Sequence, residues 1–166
     1  MDIIIPKRDA GLTPNYVGSY FQRRKHYEPH VLHARRGRIV LSDESPGILA
    51  LCTTDLTNCS GVAVYGSGLA VLAHAYSIPI EGYVTIENCI PEVLKEFGKR
   101  GIRSKLKAKL SVPRHGDAEL FCRRTLKTGI EIENFFVSSA RRNVIFDTKE
   151  NMLEVFTITR DQSVIL

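Results

Sequence analysis

Short apolar runs bounded by turn residues dominate the hydrophobic pattern of this chain, and two longer stretches with helical spacing interrupt them. Arg38-Ile-Val-Leu41 and Gly47-Ile-Leu-Ala-Leu-Cys52 flank the turn Asp43-Glu-Ser-Pro-Gly47 and read as core strands. Val62-Ala-Val-Tyr65 and Leu69-Ala-Val-Leu-Ala73 read as a second pair, joined by hairpin chemistry at Gly66-Ser-Gly68. Residues 102–110 alternate strictly. Arg103, Lys105, Lys107 and Lys109 share one parity, whereas Ile102, Leu106, Ala108 and Leu110 share the other. Period two with one basic and one apolar face predicts a half-buried strand with its cations in water; a docking stripe for an acidic partner is the other reading. Further strands are expected over residues 130–137, 143–147 and 152–159, parted by turns at Ser138-Ser139 and Lys149-Glu-Asn151.

The first helical stripe lies in residues 83–97, with Ile86, Cys89, Ile90, Val93, Leu94 and Phe97 on one face. Pro91 either kinks this helix or starts it afresh from its first turn, and Gly98 is a stop signal. The second, over residues 117–127, turns Leu120, Phe121, Thr125 and Leu126 inward. The run Thr53-Thr-Asp-Leu-Thr-Asn58 is polar and reads as a loop. Many strands and two helices in mixed order predict an α+β domain.

At 166 residues, 43% hydrophobic and 25% charged, the chain has the composition of one globular domain with a sizeable core. No apolar run approaches a membrane span, and the start Met-Asp-Ile-Ile-Ile-Pro-Lys-Arg is not patterned as a secretory signal. The net charge of +5 is unevenly placed: residues 1–41 hold eight Lys/Arg against three Asp/Glu, leaving 15 of each sign in the remainder. Residues 1–37 therefore read as a basic extension, and residues 38–166 as the domain. Gln22-Arg-Arg-Lys25 and Arg35-Arg-Gly-Arg38, interleaved with Tyr20, Phe21, His26 and Tyr27, suit nucleic acid, anionic lipid or an acidic protein face. Pro14, Pro29 and the lack of periodicity favour a solvated, flexible arm.

Cys52, Cys59, Cys89 and Cys122 show no Cys-x-x-Cys spacing, which argues against structural zinc and fits free thiols in a reducing compartment. His26, His30 and His33 would align on a helix as metal ligands, but Pro29 disfavours that helix, and no metal site is expected. His115 falls in a turn. Asp43 with Glu44, or Asp55, could pair as acid and base, but no second carboxylate constellation presents itself. Cys59 and His74 are the informative pair. They stand at the two ends of the glycine-rich hairpin, where a thiol and an imidazole form a nucleophile and its base. Without that role, Cys59 is a small buried hydrophobe and His74 a satisfied core histidine.

The stretch Ser45-Pro-Gly-Ile-Leu-Ala-Leu-Cys-Thr-Thr-Asp-Leu-Thr-Asn-Cys-Ser-Gly-Val-Ala-Val-Tyr65, followed by Ala73-His74, resembles the core motif of the CheD-like chemoreceptor glutamine deamidases. Leu106-Lys-Ala-Lys-Leu110, Gly129-Ile-Glu-Ile-Glu133, Ala140-Arg-Arg-Asn-Val-Ile-Phe-Asp-Thr148 and Met152-Leu-Glu-Val155 resemble later strands of that family, so the likeness covers roughly residues 38–157. Cytotoxic necrotizing factor-type deamidase toxins share a similar Cys/His arrangement. The resemblance implies a layered, sandwich-like β core of mixed sheets with two helices packed outside and the Cys/His site at one edge. It implies a cysteine-dependent protein glutamine deamidase that converts Gln to Glu and releases ammonia.

The implied triad is Cys59, His74 and Thr53, the last from a threonine six positions before the nucleophile, with Thr54 and Thr57 as fallbacks. Asn58 and Ser60 are the candidate oxyanion or substrate residues, beside backbone N–H groups. No metal or organic cofactor is required. The implied partner is a protein bearing a reactive glutamine, in a chemoreceptor or in a host protein. The setting is the cytoplasm, or a host cytosol reached by secretion. The segments Ser111-Val-Pro-Arg-His-Gly116 and Val137-Ser-Ser-Ala-Arg-Arg-Asn143 depart from the family's glycine-rich loops, which leaves the substrate open. A non-catalytic adaptor on the same fold and a deamidase effector are the alternative functions.

Overall fold

The hairpin in the middle of the chain organises everything around it. Ser67 and Gly68 both take positive φ, 50° and 79°, the twist that lets two long strands fold directly back on each other. These are β5 (Cys59–Gly66) and β6 (Leu69–Tyr76), paired in register from Cys59↔Tyr76 to Gly66↔Leu69. The computed structural model describes residues 12–14, 20–103, 105–157 and 162–166. Ahead of the hairpin come β1 (Leu12–Pro14), α1 (Tyr20–Lys25), β2 (Val31–His33), β3 (Ile39–Leu41) and β4 (Ala50–Leu56). After it come α2 (Cys89–Lys99), β7 (Leu106–Val112), α3 (His115–Thr125), β8 (Ile130–Val137), β9 (Arg142–Asp147), β10 (Met152–Thr157) and β11 (Gln162–Ile165).

The strands form two mixed sheets, ordered β1-β11-β10-β9-β4-β2 and β3-β6-β5-β7-β8. The β2/β4 and β7/β8 pairs are parallel, and the other ladders are antiparallel. Strand alternation sorts the apolar residues into three layers. Leu51, Ala63, Leu72, Val144 and Phe146 pack between the sheets. Val62, Val64, Val71 and Leu110 face away, against α2 and α3. Ala50, Cys52, Ile145 and Phe156 lie on the far side of the six-stranded sheet, under Tyr20 of α1. Strands buried on both faces need apolar residues at both parities, which explains the continuous runs in β4, β5, β6 and β9. The layered α+β architecture is as the sequence predicts, with a third helix added.

Several elements differ from expectation. The polar run after Cys52 is strand, because β4 continues through Leu56 by pairing with β9, with a register shift between Thr53 and Leu56 and Asp55 at φ 62°. Of the alternatives at Pro91, the fresh start is observed: α2 begins at Cys89, and the helix runs past Gly98 to Lys99 before Gly101 turns at φ 69°. Leu126, expected inward, is 48% exposed because α3 ends one residue before it. The basic face of β7 is only partly in water. The six-stranded sheet overhangs Lys109, whose ammonium donates to the carbonyls of Asn151 (2.6 Å) and Leu166 (3.1 Å).

Residues 20–37, expected to stand outside the domain, are laid onto the six-stranded sheet. Tyr20 is 2% exposed and meets the Phe156 ring edge-on at 5.9 Å. β2 adds to the sheet edge in register with Ala50–Cys52, and Ala34 is buried. Three-residue strands are too short to show a period, so the anchors are invisible in the hydrophobic pattern. Residues 1–11 and 15–19 of the extension, and residues 158–159 of the predicted last strand, lie outside the described residues.

Candidate active site

The β5/β6 register places Gly61 opposite His74 and Cys59 opposite Tyr76. Cys59 is thus the diagonal neighbour of His74 on the same face of the five-stranded sheet. That face looks toward the other sheet, where β4 presents Thr53. Gly61 lets the sheets close here: a Cβ on it would stand 2.9 Å from Leu56 Cδ1 and 3.3 Å from Val144 Cγ2. The backbone N–H of His74 donates to the Arg38 carbonyl at 3.0 Å, fixing β6 against the start of β3.

Thr53 and His74 are both fully buried. The Thr53 hydroxyl donates to the Ala34 carbonyl at 2.7 Å and lies 2.8 Å from His74 Nδ1. With its only proton spent on Ala34, Thr53 is left as an acceptor, which assigns the imidazole proton to Nδ1 and the lone pair to Nε2. Nε2 is buried and has no hydrogen-bond partner among the described residues. An orphaned buried polar atom is costly, and among the described residues Tyr20 Oη, Arg24 Nε and Ser60 Oγ share that condition. Thr54, the first fallback, points to the other face of β4, 3.4 Å from His33 Nε2. Thr57 is exposed beside Cys59.

Burial dominates the electrostatics of the pair. It pushes the His74 pKa down to about 4, helped by Arg36, His33 and Arg142 and opposed by Asp55. Burial likewise raises the Cys59 thiol above its ordinary value, with Arg36 and Arg142 pulling it back. Thiol and imidazole are therefore both neutral at neutral pH. Folding stability inherits this shift. The unfolded chain takes up a proton on His74 near pH 6.5 and the folded chain only near 4, so the stabilisation is complete above pH 6.5 and is lost as the pH falls from there to about 4. The shift corresponds to roughly 3 kcal/mol. Denaturant titrations at pH 7 and pH 4.5 should show a loss of this order in the wild-type chain that is absent when His74 is replaced by Gln.

Cys59 is half-buried and lines a cleft of about 740 Å³, together with Asn58, Tyr76, Ile78, Pro113 and Arg114. His74 lies behind it, out of the cleft. Asn58 is exposed at the rim, and its carbonyl accepts the Ser77 hydroxyl. Ser60 does not fit the role its position suggested. Alternation turns its hydroxyl to the opposite face of β5, where it is fully buried. At the cleft mouth Asp55 pairs with Arg141 and, at 3.4 Å, with Arg36; the Arg141 guanidinium holds the Asp55 carboxyl below the usual range.

Two contributors to the site were not read from the sequence. One is the Ala34 carbonyl, which belongs to the segment assigned to the extension. The other is Arg142, fully buried at the head of β9, which donates to the carbonyl of Cys59 itself at 2.9 Å. The local sequence does not single it out, since Arg141 stands beside it and Asn143 follows. His26, His30 and His33 do not share a helix, since α1 ends at Lys25 and His33 lies on β2. Among the described residues no three His, Cys, Asp or Glu side chains are grouped to hold a metal, and no helix is long and apolar enough to cross a membrane. All four cysteines are free.

No protein-family model matches the chain, and no curated protein matches it in sequence. Among solved structures, the C-terminal domain of CNFy from Yersinia pseudotuberculosis is similar with a TM-score of 0.33 and 15% identity, covering 82% of this chain and 60% of that one. A likeness this distant fixes neither fold nor activity.

Proposed function

We propose that this protein is a cysteine amidohydrolase that deamidates glutamine side chains of a protein substrate, with Cys59 as nucleophile, His74 as base and Thr53 as the group that orients His74. One observation carries the reading: the unpartnered Nε2 of His74, its lone pair fixed by the Thr53–Ala34 relay, on the same strand face as a thiol that opens to a cleft. Buried ring nitrogens are ordinarily hydrogen-bonded, and an open Nε2 is free to take a proton. The carboxamide as substrate comes from the CheD-like motifs around Cys59 and His74, and the open cleft suits a side chain carried on a protein surface.

The chemistry follows from the neutral resting pair. As the Cys59 sulfur bonds to the carboxamide carbon, its proton passes to Nε2, and charge develops on the carboxamide oxygen. Backbone N–H groups near Cys59, with the Asn58 amide at the rim, would be the donors to that oxygen. The imidazolium then returns its proton to the departing nitrogen, the C–N bond breaks, and ammonia leaves a thioester on Cys59. Water, deprotonated by Nε2, attacks the thioester and releases a glutamate side chain and the free thiol. His74 cycles through both protonation states, and Thr53 keeps its ring from turning.

The test is to incubate the purified chain with glutamine-bearing peptides and folded proteins, chemoreceptor fragments and host proteins among them. Ammonia and carboxamide-to-carboxylate conversion are read by mass spectrometry. Cys59-dependent ammonia release supports the reading; hydrolysis of esters with no action on any carboxamide contradicts it. Thr53→Val keeps the shape of the side chain and strands both the Ala34 carbonyl and His74 Nδ1–H without partners. It should cost about 1–3 kcal/mol of stability by denaturant titration and lower turnover ~10- to 100-fold, less than loss of the nucleophile.

A further inference from the structure

Arg142 has no exposed surface and is among the largest fully buried side chains of the protein. All three of its nitrogens are engaged. Nε donates to the carbonyls of Leu56 (3.2 Å) and Ala140 (3.1 Å), and Nη1 donates to Ser111 Oγ at 3.1 Å. Nη2 donates to the carbonyls of Cys59 (2.9 Å) and Thr57 (3.4 Å). Three of these acceptors, Leu56, Thr57 and Cys59, bracket the turn between β4 and β5 that delivers Asn58 and Cys59 to the cleft. Yet no ion pair among the described residues neutralises the guanidinium. The acid it senses, Asp117, is already engaged by Arg114 through two hydrogen bonds, both 3.1 Å.

A buried charge satisfied only by neutral dipoles is an expensive way to hold a turn, since a neutral donor would avoid its desolvation. Its position gives the expense a use. The charge sits against the peptide of Cys59, where sulfur and then a carboxamide oxygen become anionic.

We propose that Arg142 is a positioning residue that clamps the Cys59 turn and, through its buried positive charge, stabilises the anionic forms of the site. The effect on turnover rests on the amidohydrolase reading; the effect on the Cys59 thiol does not. Other charged or titratable groups lie around that thiol: Arg36 ahead of β3, Asp55 on β4, Tyr76 on β6 and Arg114 before α3 line the same cleft, Arg141 pairs with Asp55, and His74 shares the sheet face. Arg36, Arg114 and Arg141 are solvent-exposed and ion-paired, so salt screens them, whereas it barely reaches Arg142. Burial moves the Arg142 pKa down to about 10, which leaves it charged at neutral pH.

The experiment uses the full chain as wild type, R142M, R142K and S111A, each checked by thermal melting. The rate of Cys59 alkylation by iodoacetamide is followed against pH by mass spectrometry, at low and high salt, alongside amide turnover. R142M should move the alkylation midpoint up by about one pH unit. R142K keeps the charge and loses the fork, so its midpoint should stay near wild type while kcat falls ~10-fold or more with KM little changed. S111A, which keeps the charge and most of the clamp, should leave the midpoint in place. A folded R142M with an unmoved midpoint overturns the proposal, as does an R142K that matches wild type in kcat. If R142M does not fold, salt decides: a wild-type midpoint insensitive to salt supports the buried charge, and one displaced upward by a full unit in salt assigns the effect to Arg36 and Arg141 and overturns it. A wild type inert toward carboxamides whose midpoint still rises in R142M removes the amidohydrolase reading and leaves this inference standing. An active wild type with an unmoved R142M midpoint does the reverse.

Discussion

Replacing Cys59 by Ser should abolish ammonia release, lowering turnover ~10⁴-fold or more, while the melting temperature stays within a few degrees of wild type. The hydroxyl is a far weaker nucleophile than the thiol at neutral pH, and the neutral His74 is not basic enough to make up the difference. The fold should survive because Cys59 is only half-buried and its contact with Arg142 runs through the backbone carbonyl. The other three cysteines are the controls. Cys52 and Cys89 are fully buried and lie on faces away from the cleft, and burial raises the Cys122 thiol on α3. Serine at Cys122 should leave turnover unchanged. Retention of more than about a tenth of the wild-type rate in Cys59→Ser would remove the thiol from the mechanism.

His74→Gln is expected to have the second largest effect, a ~10³-fold or greater loss of turnover at neutral pH. Glutamine can still meet Thr53 through its amide, so the core is not emptied, but it carries no base that can take and return a proton. The pH profile separates this from a packing defect. The proposed mechanism needs neutral His74, and with its pKa near 4 that base is available throughout pH 5–8. The acid limb of the wild-type profile should therefore lie near pH 4, and the residual activity of His74→Gln should have no limb there. Steady-state rates from pH 3.5 to 8, on samples shown to be folded at each pH, decide it. A wild-type limb near 6.5 would mean that His74 feels far less burial than its surroundings impose.

The parts of this site that were legible in the sequence are those carried by local pattern. Gly66-Ser67-Gly68 between two apolar runs dictates the hairpin, and the hairpin puts Cys59 and His74 on one face of neighbouring strands without any long-range information. Thr53 was named from its offset, but its geometry has another origin. It lies on the facing sheet, and its contact with His74 exists because β4 pairs with β9 while Gly61 lets the sheets approach. Because of that pairing, the polar run read as a loop is strand: its hydrogen bonds go to residues more than eighty positions away, which no window of local sequence contains. The same holds for Arg141 and Arg142. Adjacent and chemically alike, they are sent by strand alternation to opposite fates, one to Asp55 at the surface and one to the carbonyls beneath Cys59. Residues 20–37 read as an extension because their charges are evident and their anchors, Tyr20 and Ala34, are single buried residues. Yet the carbonyl of Ala34 sets the tautomer of His74.

The most direct measurement treats the full chain with a peptide in which a chloromethyl ketone replaces the carboxamide of a glutamine, at neutral pH, and maps the adduct by mass spectrometry. Such a probe needs a nucleophile that reaches the substrate position and a base beside it. One adduct per chain on Cys59, blocked by prior incubation with a glutamine-bearing substrate and slowed at least ~10-fold in His74→Gln, is the result the Cys59–His74 pair predicts. Labelling that falls on Cys122, or that proceeds on Cys59 equally fast with and without His74, would show that the two residues do not act together.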